Sequence, residues 1–228
     1  MSDVEITVVA DADEAARLVA ERLAEHARTG GNVVLTGGST PRRAYELAAE
    51  LEPDWSRVEL WWGDDRCVPP DDERSNFGLA KAALLDRLET PPAAIHRIKG
   101  ELGREAGADD YDHEIGDRGA WDFQLLGLGP DAHVASLFPG FPALHVDDRN
   151  AVGTEAGLEP FVDRITLTMP RIRGTDELLF LVAGADKANA VKRVFADEPS
   201  VDAPGSLARA SSGGVTRAVL DRAAAAKL

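Results

Sequence analysis

Apolar positions along the chain follow two rhythms. Runs rich in apolar residues at 4–10, 32–36, 57–62, 121–128 and 177–183 read as strands, with a shorter one at 95–98. Helical spacing fills the stretches between. Residues 12–28 put Ala16, Val19, Leu23 and Ala27 on one face, with Asp11 or Asp13 placed to cap the helix and Gly30-Gly31 to end it. Further helices are predicted from Pro41 through about Leu51, and over 76–88, 101–118 and 186–195, with a short one in the loop after 128. Residues 63–75 read as a polar loop, 138–160 as the longest stretch without a clear pattern, and 215–226 as a final strand and helix. The alternation predicts one α/β domain over residues 1–228, with a mostly parallel sheet flanked by helices. Ligands of such sheets bind outside the carboxyl ends of the strands, so the polar residues just beyond each strand are the candidates for chemistry.

Gly37-Gly38-Ser39-Thr40-Pro41 follows the second strand and opens a helix. Two glycines permit close backbone approach, and the helix N-terminus offers free N–H groups to an anion. The segment is neither a Walker loop nor a nucleophile elbow, and reads as a phosphate cradle or a capped tight turn. Gly127-Leu128-Gly129-Pro130-Asp131-Ala132 follows the strongest strand and formally matches a dinucleotide fingerprint, with Asp147 and Asp148 beyond it. Pro139-Gly140 leaves too little room for the full crossover helix that the fingerprint opens. Asp131-x-His133 is the more telling feature. A carboxylate two residues from an imidazole can set the tautomer that acts as a base; otherwise His133 is a solvated loop histidine.

Gly63-Asp64-Asp65-Arg66 ends another strand, and acids beside Arg66 could hold its fork toward a substrate anion or form an ordinary surface ion pair. Asp72-Glu73-Arg74 repeats the pattern inside a loop and reads as solvated. Lys187 falls in the first turn of a helix, where the dipole disfavours a cation, so a bound anion would account for it, as would a plain surface position. Arg164, in Arg164-Ile165-Thr166-Leu167-Thr168, is a further anion-site candidate.

Composition narrows the partners. Forty acidic against 25 basic residues give a formal charge of −15, which repels nucleic acid and anionic membranes yet leaves room for a small anionic ligand. Only five of the basic residues are lysines, a balance that suits a salt-adapted host or an arginine-rich codon habit. Cys67 is the single cysteine, excluding a disulfide framework, and the five histidines show no metal-ligand spacing. The opening Met-Ser-Asp-Val-Glu has neither a basic segment nor an apolar core, and no run is long enough to span a bilayer. A cytoplasmic protein without metal or cofactor, monomeric or homodimeric, is expected.

In order along the chain, these pieces resemble the 6-phosphogluconolactonase family. They are Gly-Gly-Ser-Thr-Pro at 37–41, Trp62-Gly63-Asp64-Asp65-Arg66-x-Val68-Pro69, Ser75-Asn76, the run from Leu126 to Pro139, Arg164-Ile165-Thr166-Leu167-Thr168 and Gly184-x-x-Lys187. The resemblance implies a Rossmann-like α/β fold shared with sugar-phosphate isomerases and deaminases. It also implies hydrolysis of 6-phosphoglucono-δ-lactone without a cofactor. His133 would then be the base and Asp131 its orienting partner. Arg66 and Lys187 would face oxyanion or phosphate charge, with Arg164 as a further anion ligand. Gly37, Gly38, Ser39 and Thr40 would hold the phosphate, and Asp64 would line the substrate site. Three departures stand out. Asp65 replaces a usual glutamate, a mild shortening. Ala132 replaces a usual glycine, which matters if the backbone there needs φ > 0, and Val134 replaces a usual threonine. Glucosamine-6-phosphate deaminases are the nearest rival, but their Phe-Asn-Glu-Pro after the histidine is Ser136-Leu137-Phe138-Pro139 here. A non-catalytic sugar-phosphate sensor should add a basic DNA-binding helix pair, which the chain lacks.

Overall fold

The computed structural model describes residues 4–211 and 213–228; the first three residues, part of the segment read for a leader, lie outside it. The first half runs β1 (Val4–Val9), α1 (Ala12–Thr29), β2 (Gly31–Leu35), α2 (Ser39–Leu51), β3 (Val58–Trp62), β4 (Asp64–Arg66), α3 (Asn76–Ala83), β5 (Ala94–His96) and α4 (Arg104–Ile115). The second runs β6 (Trp121–Leu126), β7 (Ala151–Thr154), β8 (Arg164–Leu167), α5 (Met169–Arg173), β9 (Thr175–Val182), α6 (Ala188–Phe195) and β10 (Val215–Asp221).

Seven strands form a parallel sheet in the order β1-β10-β9-β6-β2-β3-β5. From β2 the chain moves outward to β3 and β5, then returns to β6 on the other side of β2. The loops after β2 and β6 therefore diverge at a topological switch point, where such sheets bind ligands. Central strands are buried on both faces: β9 has six consecutive buried residues and β6 four. That is why they read as predominantly apolar runs. Trp55, Trp61, Trp62 and Trp121 are fully buried beside Tyr45 and Tyr111. Helix α1 buries Ala15, Ala16, Val19, Ala20, Leu23, Ala24 and Ala27, its N-terminus capped by Asp11, whose carboxylate accepts from Glu14 N at 2.9 Å.

A second, antiparallel sheet, β4-β8-β7, was not predicted. Its strands are three or four residues long, and β4 consists of charged residues inside the expected polar loop. The 138–160 stretch likewise contains β7 and a 3-10 turn, Pro142–His145, and no helix forms directly after residue 128. The expected 101–118 helix shortens to α4, set between Gly103 (φ +86°) and Gly116 (φ +54°). Residues 222–227 form turns in place of the expected helix, although Asp221 takes Ala224 N at 2.7 Å as a helix cap would. Among the described residues no helix is long and apolar enough to cross a membrane.

Candidate active site

A cleft of about 810 Å³ opens at the carboxyl ends of the parallel strands. Gly37, Gly38, Ser39, Thr40, Asp64, Arg66, His133, Arg164 and Lys187 all line it; Asp131 stands behind His133. The small sheet supplies one wall, carrying Arg66 on β4 opposite Arg164 on β8.

Two buried tyrosines fix where the chain leaves the sheet. Tyr45 Oη donates to Thr36 O at 2.6 Å and accepts from Thr36 N at 3.0 Å. Tyr111 Oη does the same for Trp62, at 2.9 Å in each direction. Each hydroxyl satisfies both backbone groups of the last residue before a site loop. The glycine loop follows Thr36. Gly38 takes φ +108°, a conformation that L side chains rarely adopt, and Ser39 starts α2 with no acidic residue in its first turn.

The acids beside Arg66 do not hold its guanidinium, contrary to expectation. Asp65 is buried and turned inward, its oxygens taking the backbone N–H of Arg66, Asn76 and Phe77 and the Ser75 hydroxyl. Burial pushes its carboxyl up to about 6 in spite of those donors. Asp64 accepts from Ser136 Oγ at 2.6 Å and Asn76 Nδ2 at 3.2 Å. Arg66 Nη1 donates to Arg74 O, so the Asp72–Arg74 loop, read as merely solvated, tethers a site arginine. Arg164 is held in the same manner, donating from Nη2 to Pro160 O at 2.8 Å. Burial first, then the neighbouring Arg66 charge, lowers the Arg164 guanidinium from its ordinary value. Among the described residues neither arginine has a carboxylate oxygen within 4.0 Å of its guanidinium, while Arg22, Arg28, Arg97 and Arg149 are all paired. An anion in the cleft would supply the missing charge.

His133 Nδ1 lies 2.6 Å from Asp131 Oδ1, which also accepts His133 N at 3.1 Å. Burial pushes the Asp131 carboxyl up, but the hydrogen bonds and charge of His133 outweigh it, and the net shift is downward. The carboxylate thus makes Nδ1 the donor and leaves Nε2, which has no partner among the described residues, free to accept a proton. Gly129 is required by this packing, since a Cβ there would meet His133 Nδ1 at 2.0 Å. Ala132 does sit at φ +73°, so the departure from glycine places a strained residue between Asp131 and His133. Arg193 Nη1 pins the same loop through Asp131 O at 3.0 Å.

Lys187 ends a 3-10 turn, Ala185–Lys187, just ahead of α6, close to its expected place. Among the described residues its one carboxylate neighbour is Asp186, 3.6 Å away and largely exposed. The turn is set by Asp221, whose two oxygens each take Gly184 N at 3.1 Å. Sequence reading missed Asp221, Tyr45, Tyr111 and Ser136. Asp221 and Tyr111 act from elements distant in the chain, and Tyr45 reaches back from the helix after the loop, so none leaves a local signal; Ser136 lay inside a quoted motif without a role.

Strand order and the switch-point cleft define a Rossmann-like α/β fold, the one found in sugar-phosphate isomerases and deaminases. The chain belongs to the glucosamine-6-phosphate isomerase/6-phosphogluconolactonase family, whose profile matches residues 7–217. It is 37% identical to a 6-phosphogluconolactonase of Streptomyces coelicolor, over 94% of this chain and 88% of that one. It is 38% identical to one from Mycobacterium leprae, over 89% and 87% of the two chains. Among solved structures it resembles a 6-phosphogluconolactonase from Trypanosoma cruzi, with TM-score 0.87, 25% identity and coverage of 100% and 98%. A monomeric glucosamine-6-phosphate deaminase shares the fold at TM-score 0.87 but only 18% identity, covering 99% and 100%.

Proposed function

We infer that the chain hydrolyses 6-phosphoglucono-δ-lactone to 6-phosphogluconate, the lactonase step of the oxidative pentose phosphate pathway. One observation carries the reading. An imidazole already bonded through Nδ1 to Asp131 opens onto a cleft whose other walls hold a helix N-terminus, Arg66, Arg164 and Lys187. Family membership and relatives named for this activity support it. They do not favour the deaminase alternative, whose supporting glutamate is replaced here by Phe138.

In the mechanism this suggests, the substrate phosphate lies against the Gly37–Thr40 segment. His133 Nε2 takes a proton as a water oxygen attacks the lactone carbonyl carbon, and the ring carbonyl becomes an oxyanion. Arg66, Arg164 and Lys187 share the negative charge of phosphate and oxyanion. When the tetrahedral intermediate collapses, the bond from carbonyl carbon to ring oxygen breaks, and the imidazolium returns its proton to that oxygen. The carboxylic acid product then ionises, releasing one proton. Asp64 is an acceptor for a sugar hydroxyl, held ready by Ser136 and Asn76. Binding the remote phosphate supplies the energy that holds the carbonyl against the water.

The test follows proton release from freshly generated 6-phosphoglucono-δ-lactone, with spontaneous hydrolysis subtracted. Saturable acceleration by the protein is expected; no acceleration at micromolar protein contradicts the assignment.

A further inference from the structure

Phe138 stands where the deaminase pattern has its supporting glutamate, and its ring packs on the base. The centroids of the Phe138 and His133 rings are 4.5 Å apart, with the planes tilted by 48°. Phe141 lies 5.6 Å from Phe138, and Gly157 closes another side: a Cβ at 157 would fall 2.7 Å from both Cδ1 and Cγ of Phe138. Gly157 is not among the glycines with positive φ, so its requirement for glycine is one of space. Phe138 itself is 3% exposed. The strand of loop that carries Gly157 continues to Pro160, whose carbonyl holds Arg164. The aromatic ring is thus wedged between the imidazole and the loop that tethers an anion-binding arginine.

Asp131 fixes one edge of the imidazole. A single hydrogen bond through Nδ1 still allows the ring to swing about that axis, and catalytic geometry is lost with displacements of about 1 Å. Close packing against the tilted Phe138 ring restricts that freedom, because protein interiors leave little room for a ring to rotate into. The geometry points to Phe138, backed by Gly157, as a positioning residue for His133. It holds the imidazole plane so that Nε2 faces the water that attacks the lactone carbon. This inference rests on the reading of His133 as the base.

Four variants of the full chain test it: Phe138→Ala, Phe138→Leu, Gly157→Ala, and the last two combined. Proton release gives kcat and KM, and nitrogen-15 NMR of the His133 ring gives its tautomer and mobility. Phe138→Ala should lower kcat about tenfold or more with KM within about twofold, since the phosphate donors are untouched. Leucine should recover most of that loss. Gly157→Ala should also lower kcat, and leucine at 138 should relieve it, because the shorter side chain vacates the space that the new Cβ enters. The Nδ1–H signal of His133 should broaden in Phe138→Ala and sharpen again with leucine. A Phe138→Ala enzyme with wild-type kcat and an unchanged ring signal overturns the inference. So does one in which kcat and KM decline together while the ring signal stays as in wild type. Absence of activity in the wild-type protein would instead bring down the hydrolase reading itself.

Discussion

Arg66 and Arg164 are register partners on antiparallel strands, two like charges opposite one another in the wall of the cleft. Opposed like charges destabilise a strand pair. Neither has a carboxylate partner among the described residues, so an anion bound between them would relieve a repulsion that the fold leaves in place.

Replacing Arg164 with Met should therefore separate binding from stability. A lost charge-assisted hydrogen bond costs roughly 1.5–3 kcal/mol, or about 10–150-fold in affinity. The Kd for 6-phosphogluconate, measured by calorimetry, should rise by that factor. The melting temperature of the ligand-free variant should stay level or increase, since a buried charge beside a like charge has gone. An unchanged Kd would remove Arg164 from the anion site.

The glycine loop makes a second prediction. If two or three charge-assisted contacts hold the phosphate, gluconolactone should lose roughly 3–5 kcal/mol of transition-state stabilisation, a drop of about 10²–10⁴ in kcat/KM. Equal kcat/KM for the two lactones would show that the loop does not read the phosphate.

Tyr45→Phe tests how the loop is held. The change strands the N–H and C=O of Thr36 in a buried setting, at about 1–3 kcal/mol for each group left without a partner. Denaturant melts should show a loss of about 2 kcal/mol or more, and KM should rise as the loop loosens. A variant as stable as wild type, with the same KM, would mean that the loop holds its shape unaided.

Glu177 sets the pH dependence of stability at the far end of β9. Burial alone would raise its carboxyl. Hydrogen bonds from His26 and Arg22, and the Arg22 charge, outweigh burial and bring it down to about 2. A lowered carboxyl contributes stability above its ordinary value of 4.5, and the contribution is lost as pH falls toward 2. Glu177→Gln should cost on the order of 3 kcal/mol at pH 7, where Arg22 and Arg217 lose their shared partner. The gap from wild type should close as pH falls from 4 to 2. A gap independent of pH would point to packing instead of charge.

Strands and helices of the large sheet were legible because buried parallel strands are long and apolar, as in residues 178–182. The small sheet was not. Asp64, Asp65 and Arg66 read as loop because they are charged, yet they pair with β8 through backbone groups that any residue carries. Cleft-lining residues were legible where glycine loops and strand ends announced them, as with His133 and Ser39. Their supports were not, because Tyr45, Arg74, Pro160 and Asp221 act through single hydroxyl, carbonyl or carboxylate contacts brought together only by folding. Asp64 and Asp65 looked like a clamp on Arg66, but burial directs their oxygens to N–H and hydroxyl donors instead.

The central claim is that His133 is the base that opens the lactone, and kcat of His133→Asn on 6-phosphoglucono-δ-lactone tests it most directly. Asparagine keeps a similar size and some hydrogen bonding to Asp131 but has no basic nitrogen. General-base catalysis is worth about 10²–10⁴-fold, so kcat should fall by that factor while KM stays close to wild type. A His133→Asn enzyme that retains more than about a tenth of wild-type kcat would contradict the account.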